Sequence, residues 1–112
     1  MSRDVRLYLN DIIECIDLIG NYTAGVNWDD FKGNPEKQDA VLRRLEIMGE
    51  AVKGIPADIR KQHPNIPWRE IAGLRDVLIH NYFGITLEMV WNVVENDLDA
   101  IAGSIKTILQ EL

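Results

Sequence analysis

The stretch Thr86–Leu112, TLEMVWNVVENDLDAIAGSIKTILQEL, has the most regular apolar pattern in the chain. Its apolar residues alternate four and three positions apart without a miss, at Leu87, Trp91, Val94, Leu98, Ile101, Ile105, Ile108 and Leu112. This 3.5-residue period is typical of a coiled-coil seam, which needs a long helical partner. Thr86 suits an N-cap and Glu88 suits the positive first turn. The pattern therefore predicts one helix over 87–112 inside a helical bundle.

Three segments upstream supply the expected partners. A first helix is predicted from Ser2, as N-cap, to the region 20–25. A second is predicted from about 35 to 54, because Asn34-Pro35-Glu36 places an N-cap, a first-turn proline and an acid in succession. A third is predicted from Trp68 to about Asn81, opened by Pro67 and stopped by Gly84. The apolar stripes of the first two helices are Val5, Tyr8, Leu9, Ile12, Ile13, Ile16 and Ile19, and then Val41, Leu45, Met48, Val52 and Ile55.

The intervening segments are too short and too broken for long helices. Residues 26–33 are interpreted as a connector in which Trp28 and Phe31 could form one turn against the core. The stretch between Pro56 and Pro67 allows a helical turn over 57–62. The predicted fold is therefore all-α, an up-and-down four-helix bundle with short helical inserts, in a single domain over 1–112.

Composition restricts the class of protein further. The chain has 112 residues, a single cysteine, Cys15, and no apolar run that reads as a signal peptide or a membrane span. We therefore expect a soluble, cytoplasmic protein without a disulfide. The net charge of −6 argues against a nucleic-acid ligand, but residues 43–75 carry seven basic and four acidic side chains. A local anionic ligand therefore stays possible, beside the alternative that these charges are solvated helix faces.

The segment Gly73–Gly84, GLRDVLIHNYFG, carries the most distinctive chemistry. Arg75 is a permanent cation, and histidine has an unperturbed pKa of about 6.5, which allows His80 to exchange protons near neutrality. Asp76 and His80 are four apart and share a helix face, so the carboxylate can orient the imidazole. Arg75 and His80 lie about 140° apart on an ideal helix. A phosphate site therefore needs the reach of Arg75, a distorted helix end, or a second copy of the segment across a dimer.

Other interpretations of these residues stay open on chemistry alone. His80 could simply finish an amphipathic helix, and Arg75 with Asp76 could be a surface ion pair. A metal site on Asp76 and His80 is disfavoured because no second ligand pair with metal spacing appears. Glu46 and Glu50 could be paired catalytic carboxylates, although neighbouring basic residues favour solvated ion pairs. His63, among prolines, is interpreted as a loop residue.

The residues 75–82, RDVLIHNY, resemble a known signature, in which an arginine is followed after four to six residues by histidine, any residue, and tyrosine. This is the motif of HEPN-domain proteins, and the chain resembles their HepT-like toxin branch specifically. Three further segments resemble that branch in the same register: 47–51 (IMGEA), 66–75 (IPWREIAGLR) and 90–98 (VWNVVENDL).

The resemblance implies a homodimeric toxin of a toxin–antitoxin system that cuts RNA without a metal or other cofactor. It implies that His80 is the general acid or base, that Arg75 holds the phosphate, and that Asp76 supports them. It also implies a partner, a minimal nucleotidyltransferase (MNT) antitoxin, which silences the toxin by transferring AMP onto Tyr82. The alternative for Tyr82 is packing of the helix end with Phe83.

Two other functions remain open from the sequence. The bundle could be a non-catalytic binding module that docks a nucleotidyltransferase. It could also be a purely structural dimer, although that interpretation explains neither the clustered motif nor the resemblance.

Overall fold

The computed structural model describes the backbone of residues 3–80 and 86–112, and the side chains of residues 3–74 and 86–112. Within these ranges all regular elements are α-helices: α1 (Val5–Thr23), α2 (Trp28–Lys32), α3 (Pro35–Lys53), α4 (Ala57–Gln62), α5 (Trp68–His80), α6 (Leu87–Asn96) and α7 (Leu98–Glu111). The predicted all-α fold is confirmed. Among the described helices, none combines the length and the apolar character that a membrane crossing requires.

The long helices pack side by side. α3 lies between α1 and α5, and α1 also packs against α7. The Lys37 ammonium, at the start of α3, donates to the Tyr22 carbonyl near the end of α1 over 2.7 Å. The Arg6 guanidinium, at the start of α1, donates to the Leu112 carbonyl beyond α7 over 3.2 Å. Both contacts join the beginning of one helix to the end of another, so α1 runs antiparallel to α3 and to α7, as an up-and-down bundle requires.

The core consists mainly of residues from the apolar stripes predicted for the helices, together with Phe31 of α2. Its most completely buried side chains are Leu9, Ile12, Ile19, Phe31, Val41, Leu45, Met48, Val52, Ile55, Ile105 and Ile108. Full burial of one such side chain contributes roughly 1.5–3 kcal/mol to folding. The stripes of α1, α3 and α7 therefore hold the bundle together.

The first helix, α1, begins at a different N-cap from the predicted one and ends within the predicted region 20–25. Asp4 is the N-cap, and its carboxylate accepts a hydrogen bond from the Arg6 backbone N–H at 2.8 Å. The predicted N-cap, Ser2, lies outside the described residues. The helix ends at Thr23, and Gly25 follows with φ 71°, a left-handed conformation that suits glycine.

The segment interpreted as a connector contains a short helix, α2. Asn27 and Asp30 form a reciprocal capping box at its start. Phe31 is fully buried, and its ring lies 4.9 Å from that of Trp91 in α6, centroid to centroid. The predicted turn against the core is therefore present, and it supplies one of the largest buried side chains of the described core.

The single helix predicted over 87–112 is wrong, because α6 ends at Asn96 and α7 begins at Leu98. Asp97 joins them with φ −113°, far from the value of about −63° in a regular helix. Asn and Asp side chains compete for backbone hydrogen bonds, which makes Asn96-Asp97 a weak point in a helix. The break gives the two halves different partners: α6 contacts α2, and α7 packs on α1. The seam is therefore divided, and Leu112 at its end is 45% exposed.

Candidate functional site

The amino end of α5 is fixed to the core. Ile66, Trp68 and Ile71 are buried, and the Trp68 indole donates to the His63 carbonyl at 3.0 Å. The Pro67 carbonyl accepts the first backbone hydrogen bond of the helix, from Ile71, at 3.0 Å. These contacts determine the direction and rotation of α5, and hence the positions of the motif residues farther along it.

The helix α5 continues without a break to His80, as predicted. Asp76 and His80 are therefore one turn apart on the same stripe, whereas Arg75 is about 140° around the axis from His80. The structure places only the backbone of these three residues. The predicted Tyr82, together with the predicted stop at Gly84, lies outside the described residues. The roles assigned to Arg75, Asp76, His80 and Tyr82 stay predictions.

The exposed side of α5 carries two residues that the sequence analysis did not single out. Arg69 is exposed, and it forms no hydrogen bond or ion pair with any described residue. Gly73, one turn later, is half-buried, yet a Cβ atom added there would meet no atom of a described residue within 4 Å. Ile71, nearly opposite on the helix, is buried. No described residue therefore covers Arg69 or Gly73. The signal in the sequence was their helical register with Asp76 and His80.

A groove of about 490 Å³ separates the beginning of α1 from the end of α3. Its charged side chains are largely engaged. Arg3 pairs with Asp11 and lies 4.9 Å over the Tyr8 ring, and Arg43 donates to Glu46 at 3.2 Å. For Glu46 the ion-pair interpretation is thus confirmed, and Glu50 also has an interaction partner.

His63 lies between α4 and α5, as predicted for a loop residue. Its Nε2 is 3.2 Å from a carboxylate oxygen of Glu111 at the end of α7. His63 therefore links the start of α5 to α7. Elsewhere in the described part of the chain, no group of three or more histidine, cysteine or acidic residues has the arrangement of a metal site.

The fold and the motif together define a class of protein. Its members are small helical bundles with an Arg-x4-His segment at the end of the third long helix. The chain matches the HepT-like family, described as "Ribonuclease HepT-like", over residues 12–108. This protein belongs to the HepT-like ribonuclease family. No solved structure matches the chain.

Similar proteins carry corresponding descriptions. The chain is 44% identical, over 96% of its length and 98% of the relative's, to a "Probable ribonuclease HepT" of Thermococcus cleftensis. It is 41% identical, over 99% and 92%, to a "Putative RNase" of Methanocaldococcus jannaschii. A "Gamma-glutamylcyclotransferase and putative RNase" of the latter organism is 46% identical over the whole chain, which spans half of that protein's length.

Proposed function

We propose that this protein is the toxin of a toxin–antitoxin system and acts as a metal-independent endoribonuclease. The observation that carries the proposal is the Arg-x4-His-x-Tyr motif, Arg75 to Tyr82, in a chain that belongs to the HepT-like ribonuclease family. The continuous helix to His80 supports it, because the helix fixes the spacing of Arg75, Asp76 and His80.

The chemistry proposed for the site is internal transfer within the RNA backbone. His80 acts as general base and removes the proton from a ribose 2′-hydroxyl, whose oxygen attacks the adjacent phosphorus. The bond from phosphorus to the 5′-oxygen breaks, and that oxygen receives a proton from an imidazolium. The products are a 2′,3′-cyclic phosphate and a 5′-hydroxyl. Such proton transfer typically contributes a factor of about 10²–10⁴ in rate.

The proposed role of Arg75 is electrostatic. Its guanidinium holds the scissile phosphate and stabilises the negative charge that develops on it. Asp76 keeps the imidazole of His80 oriented from one turn away. Since Arg75 and His80 are about 140° apart on one helix, we propose that the working site forms between two copies of the motif in a homodimer.

The proposed regulation uses the partner enzyme. A minimal nucleotidyltransferase antitoxin transfers AMP from a nucleoside triphosphate to the Tyr82 hydroxyl and releases pyrophosphate. The added phosphate and base then occupy the place of the substrate beside Arg75 and His80. The negative charge of the added phosphate favours this position beside the arginine. An intact-mass spectrum after co-expression with the transferase should show added AMP, and Tyr82→Phe should remove it.

The first prediction tests the nuclease itself. Purified, unmodified protein should cleave RNA in the presence of EDTA and leave cyclic-phosphate ends. His80→Ala should lower the rate by about 10²-fold or more, and Arg75→Ala by a similar factor, because each removes one part of the chemistry. Circular dichroism of each variant serves as the control for folding. Unchanged cleavage in both variants would refute the assignment.

The alternative is the non-catalytic module that docks a nucleotidyltransferase. It is favoured by the charge of residues 76–112, where six acidic residues and one lysine discourage RNA binding. Intact RNA after incubation with the unmodified wild-type protein, together with a stable complex with the transferase, would decide for this alternative.

A further inference from the structure

One stripe of α5 combines the candidate catalytic end with residues that no part of the proposed mechanism uses. Arg69, Gly73, Asp76 and His80 fall within an arc of about 60° on a helix of 3.6 residues per turn. We call these four positions the outer stripe of α5. Buried Ile71 lies on the opposite side of the helix axis, and of the two outer-stripe residues whose burial is described, Arg69 is exposed and Gly73 is half-buried.

Arg69 is the unused cation of the outer stripe. It is exposed and makes no hydrogen bond or ion pair with the described residues, whereas Arg3 and Arg43 are both engaged in ion pairs. It precedes His80 by eleven residues, which corresponds to about 16 Å along the helix axis. That distance spans several nucleotides of a strand, so Arg69 cannot hold the phosphate being cut but can hold one upstream or downstream of it.

Gly73 lies between Arg69 and His80 on the outer stripe. A Cβ at this position would meet no described atom within 4 Å, although the residue is half-buried. Sterically, nothing inside the described chain therefore requires glycine here. A missing side chain does allow the backbone of a ligand to approach the helix closely.

We propose that RNA lies along the outer stripe of α5, with a phosphate remote from the cleaved bond held by Arg69 and the strand passing over Gly73. The proposal rests on the proposed nuclease function and deepens it by assigning a substrate track. It also accounts for how an acidic protein holds RNA, since Arg69 belongs to the segment 43–75 with its excess of basic residues. Guanidinium groups are well suited to phosphate because they donate paired hydrogen bonds.

The test of Arg69 compares substrates of two lengths. The long substrate is an RNA of about 16 nucleotides, which is at the upper end of the usual site sizes for single strands. On this RNA, Arg69→Ala should raise KM about 5–20-fold with little change in kcat, because it removes one partly solvated, charge-assisted contact. With a dinucleotide substrate, which cannot reach from His80 to Arg69, the variant should match the wild type. Arg69→Lys should recover part of the loss on the long RNA.

Salt dependence gives an independent measure. Loss of one phosphate contact on a single strand should reduce the slope of log affinity against log salt by about 0.7. Lys106→Ala is the matched control, because Lys106 is an exposed cation on α7, a different helix from the one that carries the outer stripe. It should change neither KM nor the salt slope.

Gly73→Leu tests the track by obstruction. It should fold normally but raise KM for the long RNA, because the new side chain projects into the space that the strand would occupy. Gly103→Leu is its control, since Gly103 is also helical and a Cβ there also meets nothing within 4 Å.

The outcomes separate the two proposals. If the wild type cleaves RNA but Arg69→Ala and Gly73→Leu behave as their controls do, the track is wrong and the nuclease stands. If Arg69→Ala is equally impaired on both substrate lengths, Arg69 does not bind a remote phosphate. Absence of cleavage by the wild type refutes the proposed function, and unchanged RNA binding by Arg69→Ala would then refute the track separately.

Discussion

The reactive side chains of this protein differ in how strongly the fold changes their acid–base chemistry. The proposed roles of Arg75 and His80 start from their residue types, a permanent cation and an imidazole that can exchange protons. Cys15 is the opposite case. It is 2% exposed in α1, and burial raises the pKa of its thiol to about 11. Its chemistry therefore depends on the fold.

Cys15 leads to a prediction on pH. The folded-state pKa of the thiol is raised above the unfolded value of about 8.5, so unfolding releases a proton between those two values. The thiol's contribution to stability is fully present below about pH 8.5 and is lost as pH rises towards about 11. Between about pH 8 and pH 10, Cys15→Ala should lose about 1–2 kcal/mol less stability than the wild type.

Urea unfolding of both proteins across this range measures the difference, and the variant controls for other groups that titrate there. A constant difference between wild type and Cys15→Ala at all pH values would contradict the prediction. The native thiol should also react slowly with alkylating reagents until the protein is unfolded, because the reactive species is the thiolate.

At the scale of the helices, close contacts at their ends determine how they pack. Gly54, which caps the end of α3, allows the Tyr8 ring of α1 to approach its backbone, and a Cβ there would lie 2.5 Å from the ring. The conformation of Gly54, φ −83° and ψ −7°, is open to any residue. Glycine is therefore required at position 54 because a side chain would have no room there, and not because of its backbone conformation.

Gly54→Ala should destabilise the protein by about 1–3 kcal/mol, because the Tyr8 ring must leave its place between Gly54 and Arg3. Gly20→Ala is the matched control. A Cβ at Gly20 meets none of the residues that the structure describes, and alanine in this helical position should stabilise the protein by about 0.4–1 kcal/mol.

Urea midpoints measure both effects. In a Tyr8→Ala background the cost of Gly54→Ala should disappear, because the ring that collides with the new Cβ is gone. A cost that persists in this background would show that the backbone, and not the Tyr8 ring, limits position 54.

At the scale of the whole molecule, the central question is whether the proposed site belongs to one chain or to two. Arg75 and His80 lie about 140° apart on one continuous helix, α5. Two copies of α5 could bring the arginine of one chain to the histidine of the other. This arrangement leads to a prediction on mixed dimers.

Arg75→Ala and His80→Ala proteins, each inactive alone, should regain activity when they are unfolded together and refolded as a mixture. A mixed dimer has one site with Arg75 from one chain and His80 from the other, and that site is intact. RNA cleavage by the mixture, against each variant refolded alone, is the measurement. No recovery in a mixture proven by mass spectrometry to contain mixed dimers would place both residues of each site in the same chain.

Much of the fold could be predicted from the sequence. The stripes at Leu9, Ile12 and Ile19, and at Val41, Leu45 and Met48, are buried as their spacing indicates. Local patterns succeed here because a helix is formed by hydrogen bonds between residues four apart, and its apolar face follows from the same period. The motif Arg75–Tyr82 was found differently, by its resemblance to a family signature, and its side-chain geometry lies outside the described residues.

The sequence by itself determined the helical class, the main helices and the candidate motif, because each depends on neighbouring residues. Only the tertiary structure decided that the last apolar seam is divided at Asp97, and that Phe31 of α2 packs on Trp91 of α6. It also revealed that no residue in the described part of the chain lies within 4 Å of a Cβ built at Gly73, one turn from Arg69. The physical reason is that these features depend on which surfaces meet in space, and a one-dimensional period records the width of an apolar face but not the partner that covers it.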